Sequence, residues 1–138
     1  MSTRDITNKG LPAGVRVMQI DVVTDGSGAA TAYFPKCTGL LHSIRYIKDG
    51  TTPYADTVDF TITNETTLQG IWTQINQTAS VTKFPRFIPD DLVGAARTTL
   101  VVVEKLFFNN ERIKVVLAAG GDTKTGSFEV VILPLREG

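Results

Sequence analysis

Along most of the chain, apolar residues recur at every second position, the period of a half-buried β-strand. Met18, Ile20 and Val22 alternate with Gln19, Asp21 and Val23. Asp25-Gly26-Ser27-Gly28 reads as a tight turn because its glycines accept positive φ, and Ala30, Ala32 and Phe34 carry the return strand up to Pro35. Leu40 to Lys48 is a third strand, with Ile44 and Tyr46 on one face and Arg45 on the other. Val58, Phe60 and Ile62 alternate cleanly with Asp59, Thr61 and Thr63. After a turn at Asn64 to Gln69, Ile71, Thr73 and Ile75 suggest a fifth strand. Thr98 to Phe108 also fits helical spacing through Leu100, Val103, Leu106 and Phe107, but its β-branched content favours strand. Ile113, Val115 and Leu117, then Phe128, Val130 and Ile132, alternate on either side of a turn at Gly120-Gly121-Asp122. Pro89 followed by Asp90 and Asp91 marks the start of one short helix, which Gly94 limits.

About eight strands at short spacing predict an all-β fold. The expected architecture is an antiparallel β-sandwich, jelly-roll-like, with at most one short helix. Residues 1–14 are polar and interrupted by Gly10, Pro12 and Gly14, so they read as an extended N-terminal arm. Residues 15–138 read as a single sandwich domain, a size that suits one core.

Several strands are apolar on both faces: Val101-Val102-Val103, Val115-Val116-Leu117 and Val130-Val131-Ile132-Leu133. A sheet with one wet face alternates more cleanly, so an extra apolar face is expected to meet a partner, most economically another copy of the chain. The candidate dimer face is Val101, Val103, Val116 and Val131.

Charge narrows the partners. Lys plus Arg and Asp plus Glu each number 14, so no overall field draws the chain to nucleic acid or to an anionic membrane, and neither is expected as a partner. The N-terminus lacks the apolar core of a secretion signal, and the longest apolar runs are far below membrane-spanning length. The expectation is a protein made in the cytoplasm and kept soluble, with no export by the usual route. Cys37 is the only cysteine, so stability has to come from packing or assembly instead of an internal disulfide.

Little in the chain suggests chemistry. His42 is the only histidine, which excludes a two-histidine metal site within one chain. A Cys37–His42 nucleophile pair would need the two in contact and lacks an orienting third group; a half-exposed strand histidine is the simpler reading. The carboxylate pairs Asp56 with Asp59 and Asp90 with Asp91 are better explained by strand alternation and a helix N-terminus than by acid/base work. The glycines form no phosphate loop. Trp72, Tyr33, Tyr46 and Tyr54 could line a sugar-binding face, but core or interface packing suits them better. The chain is therefore expected not to be an enzyme, with no catalytic residues, no cofactor and no metal.

Thr31 to Lys36, Gly39 to Lys48, Asp56 to Thr63, Asn110 to Val116 and Gly121 to Phe128 together resemble small virion proteins of tailed bacteriophages. The family most similar is the capsid cement, or decoration, protein of short-tailed phages. The likeness spans most of residues 15–133 and departs most at Pro85 to Phe108. It implies a jelly-roll-like homodimer on the capsid exterior of the virion that bridges and stabilises major capsid protein subunits, and it carries no catalytic residues. Candidate capsid contacts are Arg4 and Ile6 in the arm and Phe84, Phe87 and Ile88 in the proline-rich loop. The alternatives are a phage tail, neck or fibre-base component, a carbohydrate-binding β-sandwich module, or an enzyme with an unusual carboxylate pair.

Overall fold

The computed structural model of the chain describes residues 2–5, 14–87 and 103–135. Within them lie twelve strands and no helix. In chain order they are β1 (Ser2–Asp5), β2 (Arg16–Val23), β3 (Ala30–Tyr33), β4 (Cys37–Lys48), β5 (Asp59–Asn64) and β6 (Gly70–Gln74). Then come β7 (Val81–Lys83), β8 (Arg86–Phe87), β9 (Glu104–Lys105), β10 (Phe107–Glu111), β11 (Ile113–Ala118) and β12 (Thr125–Leu133). The segment expected to start a helix, Pro89 to Ala96, lies outside the described residues.

Eight of these strands make a jelly roll. One sheet carries the order β2-β12-β4-β10 and the other β3-β11-β5-β6, with every pair antiparallel. Successive strands cross between the sheets except at the β5–β6 hairpin, the alternation that defines the fold. Two further strands extend the first sheet. β1, within the stretch read as an arm, pairs with the outer edge of β2 from Ser2↔Asp21 to Asp5↔Met18. β7 pairs with the second half of β4, Ile44 to Tyr46, while β10 pairs with its first half, Cys37 to Leu40. The connection from β6 to β10 thus follows the edge of β4, leaves it as the small β8–β9 ribbon, and rejoins it.

Strand alternation places the core. Met18, Ile20 and Val22 of β2, Ile44 and Tyr46 of β4, and Phe128, Val130 and Ile132 of β12 point inward from one sheet. Phe60 and Ile62 of β5 and Ile113, Val115 and Leu117 of β11 meet them from the other. The centre is aromatic. Phe60 packs edge-on against Tyr46, Trp72 and Phe128 at centroid distances of 4.9, 5.3 and 5.1 Å. Each buried ring removes a large apolar area from water, so truncating Phe60 to alanine would cost about 3–5 kcal/mol.

One end of the sandwich is closed by backbone. The β2–β3 and β11–β12 turns meet where Gly120 N donates to Gly28 O at 2.9 Å. Gly28 has φ +84°, and a Cβ there would lie 2.8 Å from Gly121 N, so the turn requires glycine at this point. Asp25 Oδ1 shapes the same turn by accepting from Ser27 N, Ser27 Oγ and Ala29 N at 2.8, 2.7 and 3.1 Å.

One local expectation is corrected. Ile71, Thr73 and Ile75 do not share a buried face: Ile71 and Trp72 are buried, while Ile75 lies beyond the end of β6 and is exposed. A register shift between Ile62 and Thr63 breaks the alternation there. At the end of the ambiguous Thr98–Phe108 stretch, Leu106 and Phe108 are buried and Phe107 points out, which is strand periodicity.

Candidate interaction surface

Among the described residues, the groups singled out for chemistry are not assembled for it. Cys37 and His42 both lie on β4, but Cys37 points into the core and His42 sits half-buried on the outer face. Five residues of extended strand separate them by roughly 16 Å. Desolvation chiefly, with a smaller opposing effect of the Arg16 charge, pushes the Cys37 thiol up to about 11, the opposite of an activated nucleophile. Asp59 accepts a hydrogen bond from Asn76 N at 3.2 Å and Asp56 is an exposed turn residue. Asp90 and Asp91 lie outside the described residues. Among the described residues, no three His, Cys, Asp or Glu side chains gather where they could hold a metal.

The aromatics do not form a sugar platform either. Trp72, Tyr46 and Tyr54 are buried in the core. Tyr33 is half-buried under Arg112, whose guanidinium carbon lies 3.9 Å from the ring centroid and which is also paired with Glu65 at 2.8 Å.

What the fold does offer is an apolar outer face on the larger sheet. The register sets Phe107 of β10 opposite Leu40 of β4, and Leu40 opposite Leu133 of β12. Their neighbours Phe108, Leu41 and Ile132 point inward and are buried, so this row of three points outward. Phe107 is 47% exposed. Phe84 is 57% exposed and stands edge-on to His42, with ring centroids 5.5 Å apart. Val103 is 50% exposed and lies beside Leu40, where both line a hollow between β4 and the β8–β9 ribbon. Arg86 anchors that ribbon: its Nη1 donates to the carbonyls of His42 and Pro85 at 3.1 and 2.7 Å. Leu41 N donates to Leu106 O at 2.9 Å just beyond β9. Lone exposed apolar residues such as Leu68 and Ile75, at the ends of β6, carry no such meaning; a row continuous across three strands does.

The residues expected at interfaces are only partly gathered here. Phe84 and Val103 flank the same stretch of β4, Leu40 to His42. Phe87 is half-buried and packs against the core. Val131 lies on this outer face, opposite Ser43 on one side and Val17 on the other. Val116 lies on the outer face of the other sheet, so one flat face cannot hold both Val116 and Val131. Arg4 occupies a register position on edge strand β1, opposite Gln19. Ile6, Ile88 and Val101 fall outside the described residues. Leu40, Phe107, Leu133, Arg86 and Lys105 were not among the interface candidates read from sequence, though Leu133 closes the two-faced run Val130 to Leu133. The signal for the first three was the register of β4 with its two neighbours, which no single strand displays.

No family model matches the chain, and no curated protein matches it. One solved structure with a similar course, described as "Crystal Structure of FLHE", is 10% identical over 88% of this chain and 99% of that chain, with a TM-score of 0.44.

Proposed function

We propose that this chain is a non-enzymatic structural protein of a phage virion, of the cement type, which binds the outside of the capsid and bridges major capsid protein subunits. The observation that carries the reading is the outward row Phe107–Leu40–Leu133 on a sandwich whose inner core is already complete. Apolar side chains held in register on a rigid sheet gain stability only when another surface covers them. The resemblance in sequence names the partner, and a jelly roll suits it: a stiff module that presents its faces and loops without rearrangement. Each copy need bind only modestly, because a shell offers many equivalent sites and a bridging protein engages more than one subunit. Self-association into dimers belongs to the same reading.

The test is to mix the purified chain with heads that lack it and sediment them. The proposal expects the chain to pellet with heads, to saturate at a fixed ratio to capsid protein, and to raise the temperature at which the heads release DNA. A chain that stays in the supernatant, or that pellets only with tails or necks, overturns the capsid reading.

A further inference from the structure

The hollow between β4 and the β8–β9 ribbon, about 410 Å³ in volume, is lined by Leu40, Arg86, Val103, Glu104 and Lys105. Its charge arrangement is unusual for a two-stranded ribbon. Arg86 and Lys105 are direct cross-strand partners, so two cations stand opposite each other on one face. Like charges directly opposed destabilise a strand pair, and here no carboxylate among the described residues pairs with either. Glu104, opposite Phe87, also lines the hollow, so its walls carry two cations and one carboxylate. The two hydrogen bonds of Arg86 both use Nη1, which fixes the guanidinium against β4 and leaves its Nε–Nη2 edge for a planar acceptor. Leu40 and Val103 supply an apolar wall beside the cation pair.

We infer that this hollow takes an aspartate or glutamate side chain of a partner protein, with a neighbouring apolar side chain of that partner resting on Leu40 and Val103. The carboxylate would relieve the Arg86–Lys105 repulsion and use the open guanidinium edge, while the apolar neighbour would shield the pair from water and strengthen it. Sites of this size with apolar walls and a few convergent charges are the usual form of a specific pocket. The inference deepens the protein-binding reading above by naming what the outer face recognises, and it rests on that reading for its biological setting.

The test needs no capsid. The full chain, labelled with ¹⁵N, is titrated with two peptides, acetyl-Leu-Asp-Leu-amide and acetyl-Leu-Asn-Leu-amide. We expect the aspartate peptide to shift the amides of Leu40, Glu104, Lys105 and Leu106 with a dissociation constant on the order of millimolar, and the asparagine peptide to bind about tenfold more weakly. Lys105→Glu should abolish that preference, and its spectrum reports in the same experiment whether the fold is intact. Equal binding of the two peptides, shifts elsewhere on the molecule, or no shift at all overturns the inference. Since heads take no part in this titration, its failure leaves the capsid reading to the sedimentation test.

Discussion

The Tyr54 hydroxyl donates to the Val22 carbonyl at 2.6 Å, a buried bond that ties the β4–β5 loop to the end of β2. The ring lies 5.9 Å from Tyr46, nearly parallel to it, and 6.5 Å from Phe60. The loop residue therefore plugs the aromatic core at the end that the turns close. Tyr54→Phe keeps the ring and leaves the Val22 carbonyl without its partner in the core. The expected loss is about 1–2 kcal/mol. Urea unfolding followed by the fluorescence of Trp72, the single tryptophan and buried, measures it. A midpoint unchanged from wild type would show that the bond contributes nothing net.

Gly126 of β12 lies directly under that plug. A Cβ there would overlap the Tyr54 ring at Cε2 and come within 2.8 Å of its Cζ and 3.0 Å of Tyr46 Cε1. Neither ring has room to retreat, because Phe60 and Phe128 pack against them. Gly126→Ala is expected to destabilise by about 1–3 kcal/mol through overpacking. In the Tyr54→Ala background the same substitution should cost much less, and a double-mutant cycle reads the difference.

Alkaline pH should unfold the protein for a definable reason. Burial, with a smaller contribution from the Asp49 charge, pushes the Tyr46 hydroxyl from 10.0 up to about 12, and burial raises Tyr54 further in the same direction. The Cys37 thiol rises from 9.0 to about 11, again chiefly by desolvation. A raised folded-state value means that stability is fully present below the unfolded value and is lost as pH climbs through the folded one. The predicted stability begins to fall near pH 9 as Cys37 enters its window, and falls more steeply from pH 10 to 12 with the tyrosines. Cys37→Ser should remove the first part of the decline and leave the second. Chemical denaturation at stepped pH checks both. At the acid end, Asp25 is held low chiefly by the Ser27 hydroxyl and Asp49 by the Thr52 amide. Their contribution is present above the unfolded value of 3.8 and lost as pH falls below it.

Phe107 should matter for binding and not for folding. Its side chain is about half exposed on the outer face, so Phe107→Ser is expected to change stability by about 1 kcal/mol or less. The same substitution should sharply reduce retention on heads in the sedimentation assay. Val116→Ser, on the outer face of the other sheet, is the matched control and should leave retention unchanged. Equal loss in both would point to a folding defect or to a different face.

Much of the fold was legible in the sequence because alternation survives wherever a strand has one inward face. β2, β5, β11 and β12 follow their apolar positions residue for residue. The pattern was weaker where tertiary context decided the conformation. β1, β7, β8 and β9 have between two and four residues each, and pairing with another strand, not propensity, makes them strands. Tyr54 reads as an aromatic suited to core or interface packing, but only the loop's fold over the sheet end shows which of the two it is. The candidate surface was half legible. Val103, Val131 and Phe84 were visible as apolar residues without an inward role. The row through Leu40 depends on the register of β4 against β10 and β12, whose residues Phe107 and Leu133 lie 67 and 93 positions along the chain from Leu40.

The most direct measurement is a cryo-EM reconstruction of heads saturated with the purified chain. A jelly-roll density is expected on the outer shell, spanning at least two capsid subunits, with the Phe107–Leu40–Leu133 row covered by protein. Shell density without the jelly roll, or a bound jelly roll whose larger sheet presents that row to solvent, would contradict it.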